Sequence, residues 1–244
     1  MNRKKHFAKA YKGFDAPISE RHDCGRYCAP LNGGKALCCS TDHTIPVVDK
    51  EEFRLLKERT DLWSKYKPTD AHSQKIVDDL HHHCTAIKCK GVEFCERHNR
   101  TIACRAFPFF PYFTREEEIV GVSYYWSFED RCWVLSNLRI AEPEFVRQLI
   151  WAYEYLFKRD EEERQAYIDQ SVSMRRVFSR ANRAIPIIGR DGEPCKVMPK
   201  TGGKVVPAKW SDFKPMGPYR SNAAYAEAIR EAGGDPKGHK LPKV

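Results

Sequence analysis

Residues 81–111, HHHCTAIKCKGVEFCERHNRTIACRAFPFFP, form the stretch that we expect to decide the fold. This stretch contains four cysteines, which are Cys84, Cys89, Cys95 and Cys104. A second group lies upstream in CGRYCAPLNGGKALCC and contains Cys24, Cys28, Cys38 and Cys39. The glycines of the upstream group favour the irregular, tight backbone that lets several thiolates approach one ion. The two groups together predict a metal-bound core built from distant parts of the chain.

The composition favours metal ligation over disulfides for these cysteines. With 41% hydrophobic and 12% aromatic residues, the 244-residue chain can bury a sizeable core. We expect no membrane span, because no apolar run approaches the roughly 20 residues that one requires. The basic N-terminus lacks the apolar region of a secretory signal, so the default location is the cytoplasm. Ten cysteines in a reducing compartment are typical of metal or redox sites.

The basic residues allow two interpretations. The formal net charge of +9 permits contact with nucleic acid, which is therefore a candidate partner alongside a metal ion or cluster. However, the basic residues are spread along the chain, and four thiolates on Zn²⁺ leave a formal charge of about −2. Three arginines beside the cysteines can offset such charge, namely Arg97, Arg100 and Arg105.

The fold that these patterns predict is mainly α with a small β hairpin, in the α+β class, around an irregular cysteine-rich metal-bound core. Residues 44–48 favour a short strand, and Asp49 is a candidate N-cap with Glu52 as its reciprocal partner. Residues 114–128 favour a hairpin, whereas Pro108 and Pro111 are expected to interrupt sheet pairing.

The expected organisation has four parts. A polar lead-in spans residues 1–19, a cysteine-cluster metal-binding domain spans 20–140, and a helical extension spans 141–185. Residues 186–244 are rich in proline, glycine and lysine and predict a loosely folded basic tail, with a local hairpin around Gly192 and a short helix after Ser221. Residues 164–184 predict a basic helix.

Several other residues are weaker ligand candidates. Three consecutive imidazoles, His81, His82 and His83, cannot all face one ion in regular structure. Cys132 either completes the site or is a small buried residue, and Cys195 lies remote from the other cysteines. The phenylalanines of AFPFFPYF either shield the metal from water or form ordinary core.

The early cysteine group followed by a closing CRAFP element resembles the YkgJ-type cysteine-cluster proteins, a family described as zinc- or iron-chelating. The resemblance covers roughly residues 20–135 and ends on Arg105, Phe107 and Pro108. It departs from the family in the stretched C-x3-C-x9-CC start, in Arg100-Thr101 where the family has Arg-Pro, and in the additional Cys89. The resemblance implies a metal centre with the ligands Cys24, Cys28, Cys38, Cys39, Cys84, Cys95 and Cys104.

The chemistry of these ligands leaves two cofactors open. Soft thiolates select either zinc or an iron–sulfur cluster. Structural zinc sites prefer short C-x(2–4)-C spacings, so the long spacings here favour iron–sulfur. The function that follows is a metal-binding protein with a redox or structural role. Two alternatives remain, a modifying enzyme related to flagellin lysine N-methylases, whose cysteine pattern is similar, and a zinc-organised nucleic-acid-binding protein.

Overall fold

Two antiparallel sheets, rather than one small hairpin, form the β structure of residues 3–244, the part of the chain that this computed structural model describes. The first sheet has the order β1-β3-β2 and contains β1 Val47–Asp49, β2 Trp63–Lys65 and β3 Cys84–Cys89. The second has the order β4-β5-β6-β7-β8 and contains β4 Phe109–Phe113, β5 Ile119–Tyr124, β6 Ile185–Gly189, β7 Pro194–Val197 and β8 Val205–Pro207. The expected mainly α fold with a small hairpin is therefore wrong.

The position of Pro111 is one difference between the predicted and the observed β structure. We expected Pro111 to interrupt pairing, but it lies inside β4 and opposite Val122 of β5. β4 is an edge strand, so the missing N–H of Pro111 costs no ladder hydrogen bond on its open side. The aromatic residues of β4 provide the compensation, because Phe109, Phe110 and Phe113 are almost completely buried.

The C-terminal segment is an integral part of the core, which corrects the expectation of a loosely folded tail. Residues 186–244 supply β7, β8 and most of β6, and β6 pairs with β5 from the middle of the chain. The side chains of Ile187 and Ile188 are at most 1% exposed. The composition predicted a loose tail because many prolines and lysines flank the few apolar residues that form these strands. Two local predictions are confirmed, the hairpin around Gly192 and the helix capped by Ser221.

Eight α-helices lie within residues 3–244, namely α1 Arg3–Gly13, α2 Gly25–Cys28, α3 Lys50–Arg59, α4 Ala71–Asp78, α5 Ile102–Ala106, α6 Pro143–Phe157, α7 Glu161–Arg180 and α8 Asn222–Glu231. The long helices α6 and α7 pack on the five-stranded sheet. α6 begins at a proline, which suits the first helical turn, and buries the apolar face that its sequence predicts.

The predicted polar lead-in contains a helix that joins the two sheet layers. α1 packs against α3 on one side and α6 on the other, and it buries Ala10 and Tyr11. Phe14, just after the helix, is completely buried. Residues 1–2 of the lead-in lie outside the described part of the chain.

Asp49 caps α3 as expected, but the capping partner differs. The Oδ1 atom of Asp49 accepts a hydrogen bond from the backbone N–H of Glu51 at 2.6 Å. Glu52, the expected reciprocal partner, turns inward instead and is only 4% exposed. A carboxylate that sequence assigns to capping therefore lies in the interior, next to the site described below.

A membrane-spanning helix is not found among residues 3–244, because each helix there is too short or too polar to cross a bilayer.

Candidate metal centre

Thiols from both sequence groups meet around Arg100. The upstream group contributes Cys24, Cys38 and Cys39, and the downstream group contributes Cys89, Cys95 and Cys104, all of which line one cavity of about 970 Å³. All ten cysteines of the chain are free in the structure. The bipartite site that the sequence suggests is thus reproduced as a spatial cluster, although its membership differs.

Short turns position the upstream thiols. Cys28 ends α2, and its Sγ accepts a hydrogen bond from the backbone N–H of Leu37 at 3.4 Å. This contact holds the turn of Leu37–Cys39 against α2. Cys38 and Cys39 are adjacent in that 3₁₀ turn, and their Sγ atoms lie 4.0 Å apart. The 3₁₀ geometry therefore brings together two side chains that would diverge in an extended strand.

The downstream thiols come from three different local structures. Cys89 ends β3, Cys95 follows a 3₁₀ turn, and Cys104 lies in α5. Thr101 caps α5, since its Oγ1 accepts the backbone N–H of Cys104 at 2.9 Å. The cap fixes the start of the helix and hence the direction of the Cys104 side chain.

Electrostatic coupling between the thiols shows how close the two groups lie. Burial raises the pKa of Cys104 to about 12, and the charges of Cys39, Cys95 and Cys89 contribute to that rise. Burial also raises the pKa of Cys24 to about 11, with a contribution from Cys28. Such thiols remain protonated at neutral pH unless a metal or another cation replaces the proton, so metal binding here would release protons.

Arg100 is the positive charge at the centre of the cluster. Its Nε donates a hydrogen bond to Sγ of Cys95 at 3.0 Å. Burial opposes the charged guanidinium, but the bond to Cys95 and the nearby thiols Cys104 and Cys38 raise the pKa of Arg100 above its ordinary value. Of the three arginines expected to offset thiolate charge, Arg100 is the one whose guanidinium donates to a cysteine sulfur among the described residues.

The other two arginines have structural roles. Arg97 Nη2 donates to the backbone carbonyl of Asp15 at 2.6 Å. Arg105 Nη1 donates to the carbonyls of Tyr11 and Phe14, and its guanidinium lies 4.6 Å from the centre of the Tyr11 ring. The arginine of the CRAFP element thus holds α1 against the downstream cysteine segment.

The aromatic residues of the same element divide between two roles. Phe107 lines the cavity together with Tyr125 and Phe128, and its ring centre lies 5.1 Å from that of Phe128. Phe109 and Phe110 are buried in the core of the larger sheet. Only the first phenylalanine is therefore placed to shield a metal centre.

Cys84 also lines the cavity, but it lies at a different end from the six clustered thiols. It begins β3, where it pairs with Asp49 of β1, whereas Cys89 ends the same strand and pairs with Trp63 of β2. Five residues of extended chain separate the two α-carbons by about 16 Å. Burial raises the pKa of Cys84 to about 11, and the charges that contribute are those of Glu163, Asp49 and Asp160 rather than of thiols. The structure brings Cys89 into the cluster instead.

Three cysteines lie outside the cavity lining, namely Cys28 at the end of α2, Cys132 and Cys195. Cys132 is buried behind Cys24 and Cys28, whose charges add to the effect of burial in raising its pKa. Cys195 lies in β7 of the larger sheet, remote as expected.

The spacing of the thiols can be compared with what each metal requires. Tetrahedral zinc with Zn–S bonds of about 2.3 Å places its sulfurs about 3.8 Å apart. Among residues 3–244, no three cysteine thiols lie within 4.8 Å of one another. The Sγ atoms of Cys38 and Cys39, 4.0 Å apart, approach that spacing. The thiols of the described residues therefore do not form the close tetrahedral set that a single zinc ion requires.

Glu52 is a buried carboxylate on the wall of the same cavity. Its Oε1 accepts hydrogen bonds from the Tyr11 hydroxyl at 2.7 Å and from the backbone N–H of Ile102 at 2.8 Å. Burial raises the pKa of Glu52 from 4.5 to about 7. The burial of Glu52 has no local sequence signature, because Glu52 follows a helix cap as many surface glutamates do.

Replacing Glu52 by glutamine should remove part of the pH dependence of stability. A carboxyl whose folded pKa is raised stabilises the fold fully below the unfolded pKa of 4.5, and this contribution disappears as pH rises through about 7. We expect wild type to lose about 3 kcal/mol more than Glu52→Gln between those pH values. Urea unfolding at a series of pH values measures the difference, and Glu51→Gln at the neighbouring, half-buried position should behave like wild type.

The predicted basic helix is less available for nucleic acid than its sequence implies. Arg175 Nη1 donates to the hydroxyl of Tyr112 at 3.2 Å and to the backbone carbonyl of Phe113. Arg183 forms a two-pronged ion pair with Glu129 at 2.8 and 2.9 Å. Both guanidinium groups therefore stabilise the fold around α7.

Comparisons of this chain with protein-family models, with curated proteins and with solved structures gave no match.

Proposed function

We propose that this chain is a cytoplasmic metal-binding protein whose cysteine thiolates hold an iron–sulfur cluster. The observation that carries the proposal is the convergence of six thiols, from segments more than 40 residues apart, on one cavity wall around Arg100. Side chains with no common task rarely meet in this way, and thiolates are the usual ligands of such clusters. A reducing compartment keeps these thiols free to bind metal.

The surroundings of the thiols support a cluster over zinc. Among residues 3–244, no three thiols lie within 4.8 Å of one another, whereas a single tetrahedral zinc ion requires sulfurs about 3.8 Å apart. Arg100 offsets negative charge, and Phe107 and Phe128 limit access of water. Charge, hydrogen bonds to sulfur and solvent exposure are the properties by which a protein sets the potential of a cluster. The resemblance to YkgJ-type proteins points to the same class of function.

Such a centre would serve both structure and redox chemistry. An iron–sulfur cluster accepts and releases an electron when bound, and the protein would supply the thiolates, the arginine and the apolar shield. The same thiolates would tie the turn of Leu37–Cys39 to α5, two segments that share few other regular contacts. Metal binding would therefore contribute directly to the free energy of unfolding.

Anaerobic purification followed by metal and sulfide analysis tests the proposal. We expect iron and acid-labile sulfide in equal amounts, together with a brown colour that bleaches on reduction. Stoichiometric zinc in a colourless protein would replace the cluster by the zinc alternative. A protein that lacks both metals after anaerobic purification and reconstitution would contradict a metal centre of either kind.

The cavity favours one second candidate, a modifying enzyme of the kind suggested by the resemblance to flagellin lysine N-methylases. Its volume of about 970 Å³ lies at the upper end of the range for small-molecule sites. It extends from the thiols to the carboxylate of Glu52, which leaves room for a substrate beside the metal. Calorimetric titration with S-adenosylmethionine distinguishes this candidate, because an electron carrier has no reason to bind that compound.

A further inference from the structure

Two helices begin at the same place, at the end of β3 that is remote from Cys89. Asp49 caps α3 and Asp160 caps α7, and in each case Oδ1 accepts a backbone N–H of the first helical turn. The second oxygen of each carboxylate is therefore free for another contact. Both Oδ2 atoms lie 2.5 Å from the same atom, Nη2 of Arg3. Two cap carboxylates thus define one position for a cation.

An imidazole faces the same position. Nε2 of His83 lies 3.5 Å from Oδ2 of Asp160, and the His83 side chain is 16% exposed. The other ring nitrogen, Nδ1, contacts Nδ1 of His81 at 2.6 Å and lies 3.6 Å from Glu162. With Nδ1 turned toward His81 and Glu162, Nε2 is the ring nitrogen that faces the carboxylates. Among residues 3–244, Asp49, His83 and Asp160 form one of two groups whose ligand atoms all lie within 4.8 Å of one another.

The surroundings carry more negative charge than Arg3 neutralises. Glu52 and Glu163 line the same cavity, and neither forms an ion pair within residues 3–244. Glu52 is 4% exposed, and its Oε2 faces the cavity without a donor from the described residues. Burial, followed by the charges of Asp160, Glu52 and Asp49, raises the pKa of Glu163 to about 7. Asp49 and Asp160 together carry one more negative charge than Arg3 neutralises, and Glu52 and Glu163 add to it where they are ionised.

We propose that Asp49, His83 and Asp160 form a divalent-cation site, separate from the cysteine centre, in which the Arg3 guanidinium holds the cation position until a metal displaces it. Two carboxylates and one imidazole are ligands that suit Mn²⁺, Fe²⁺ and Zn²⁺. His81 and Glu162, on the far side of His83, orient the imidazole as the outer partners of metal-bound histidines do. The helix caps hold both carboxylates in place without a metal, so the site is preorganised.

The first test measures Mn²⁺ binding to the full-length protein from the loss of the free-ion electron paramagnetic resonance signal. Arg3→Gln should bind Mn²⁺ at least about tenfold more tightly than wild type, because the competing charge is gone. Arg3→Lys keeps the charge and should stay within about threefold of wild type. Equal affinity in Arg3→Gln and wild type would overturn the role of Arg3 in the site.

The second test removes the ligands one at a time in the Arg3→Gln background. Asp160→Asn and Asp49→Asn keep an N-cap side chain but lose a charged ligand, so each should weaken Mn²⁺ binding about tenfold or more. Asp70→Asn is the matched control, since Asp70 caps α4 in the same manner and lies outside the triad. Binding that these variants leave unchanged would show that Mn²⁺ binds elsewhere and would overturn the site.

His83→Ala provides a test that does not depend on either helix cap. It should weaken Mn²⁺ binding to the same extent as Asp160→Asn, whereas His72→Ala on the exposed face of α4 should not. Iron and sulfide content, measured in each variant, should equal that of wild type, because the ligands of the cysteine centre are untouched. A loss of iron with retained Mn²⁺ binding would contradict the separation of the two sites.

Discussion

Serine in place of Cys89 should abolish the metal centre, whereas serine in place of Cys84 should leave it intact. Cys89 lines the cavity with the other thiols. Burial raises the pKa of Cys89, and the charges of Cys39 and Cys95 contribute to the rise. Cys84 lies about 16 Å away at the other end of β3, among carboxylates. Iron and labile sulfide per chain, measured after anaerobic purification, should fall below about a fifth of wild type only in Cys89→Ser.

Two further variants make this comparison decisive. Cys195→Ser in the larger sheet is a matched control, and it should retain the full metal content. Cys104→Ser should lose the centre as Cys89→Ser does and should also lower the melting temperature, since the energy of metal binding is folding energy. The reverse result for the strand cysteines, with Cys84 required and Cys89 dispensable, would favour the ligand set that the family resemblance implies.

Cys84 and Cys89, at the two ends of β3, show which feature of the site the sequence does not predict. The residues between them are Thr85, Ala86, Ile87 and Lys88, and a strand over this run would have separated the two thiols. The family resemblance implies Cys84 as a ligand because of its position along the sequence pattern. Nothing in the sequence states which end of a strand faces a cluster, because that depends on the packing of β3 between β1 and β2.

Local features were predicted better than long-range ones. The Asp49 cap, the Ser221 cap and the hairpin around Gly192 each depend on a few neighbouring residues, and all three are present. The larger sheet depends on pairing of Gly121 and Val122 with residues more than 60 positions later. Such pairing has no local signature, and the proline-rich composition after residue 185 concealed it.

The cation position at Arg3 depends on both local and long-range features. Asp49 is recognisable from the sequence as a helix cap, but only the fold places it beside Asp160, 111 residues later. In the sequence, the histidine triplet adjoins Cys84, which associates it with the cysteine site. In the structure His83 faces the helix starts instead.

Removing residues 186–244 should abolish cooperative folding, which an independent tail would not do. The deleted segment buries six large side chains almost completely, namely Ile187, Ile188, Val197, Tyr219, Tyr225 and Ile229. At about 2 kcal/mol for each, their burial contributes about 12 kcal/mol, which is comparable to the whole stability of a typical domain. Thermal unfolding followed by circular dichroism should show a broad change without a transition.

The same deletion should also remove the metal centre, because the C-terminal segment braces its upstream half. The hydroxyl of Tyr225 donates to the backbone carbonyl of Tyr27, between Cys24 and Cys28, at 2.8 Å. The hydroxyl of Tyr219 donates to the carbonyl of Arg131 at 2.7 Å. A chain ending after Asp235 keeps both contacts and should stay within about 1 kcal/mol of wild type. If residues 1–185 alone bound iron and unfolded at the wild-type temperature, the segment would be an appendage after all, and its burial in the sheet would carry no stability.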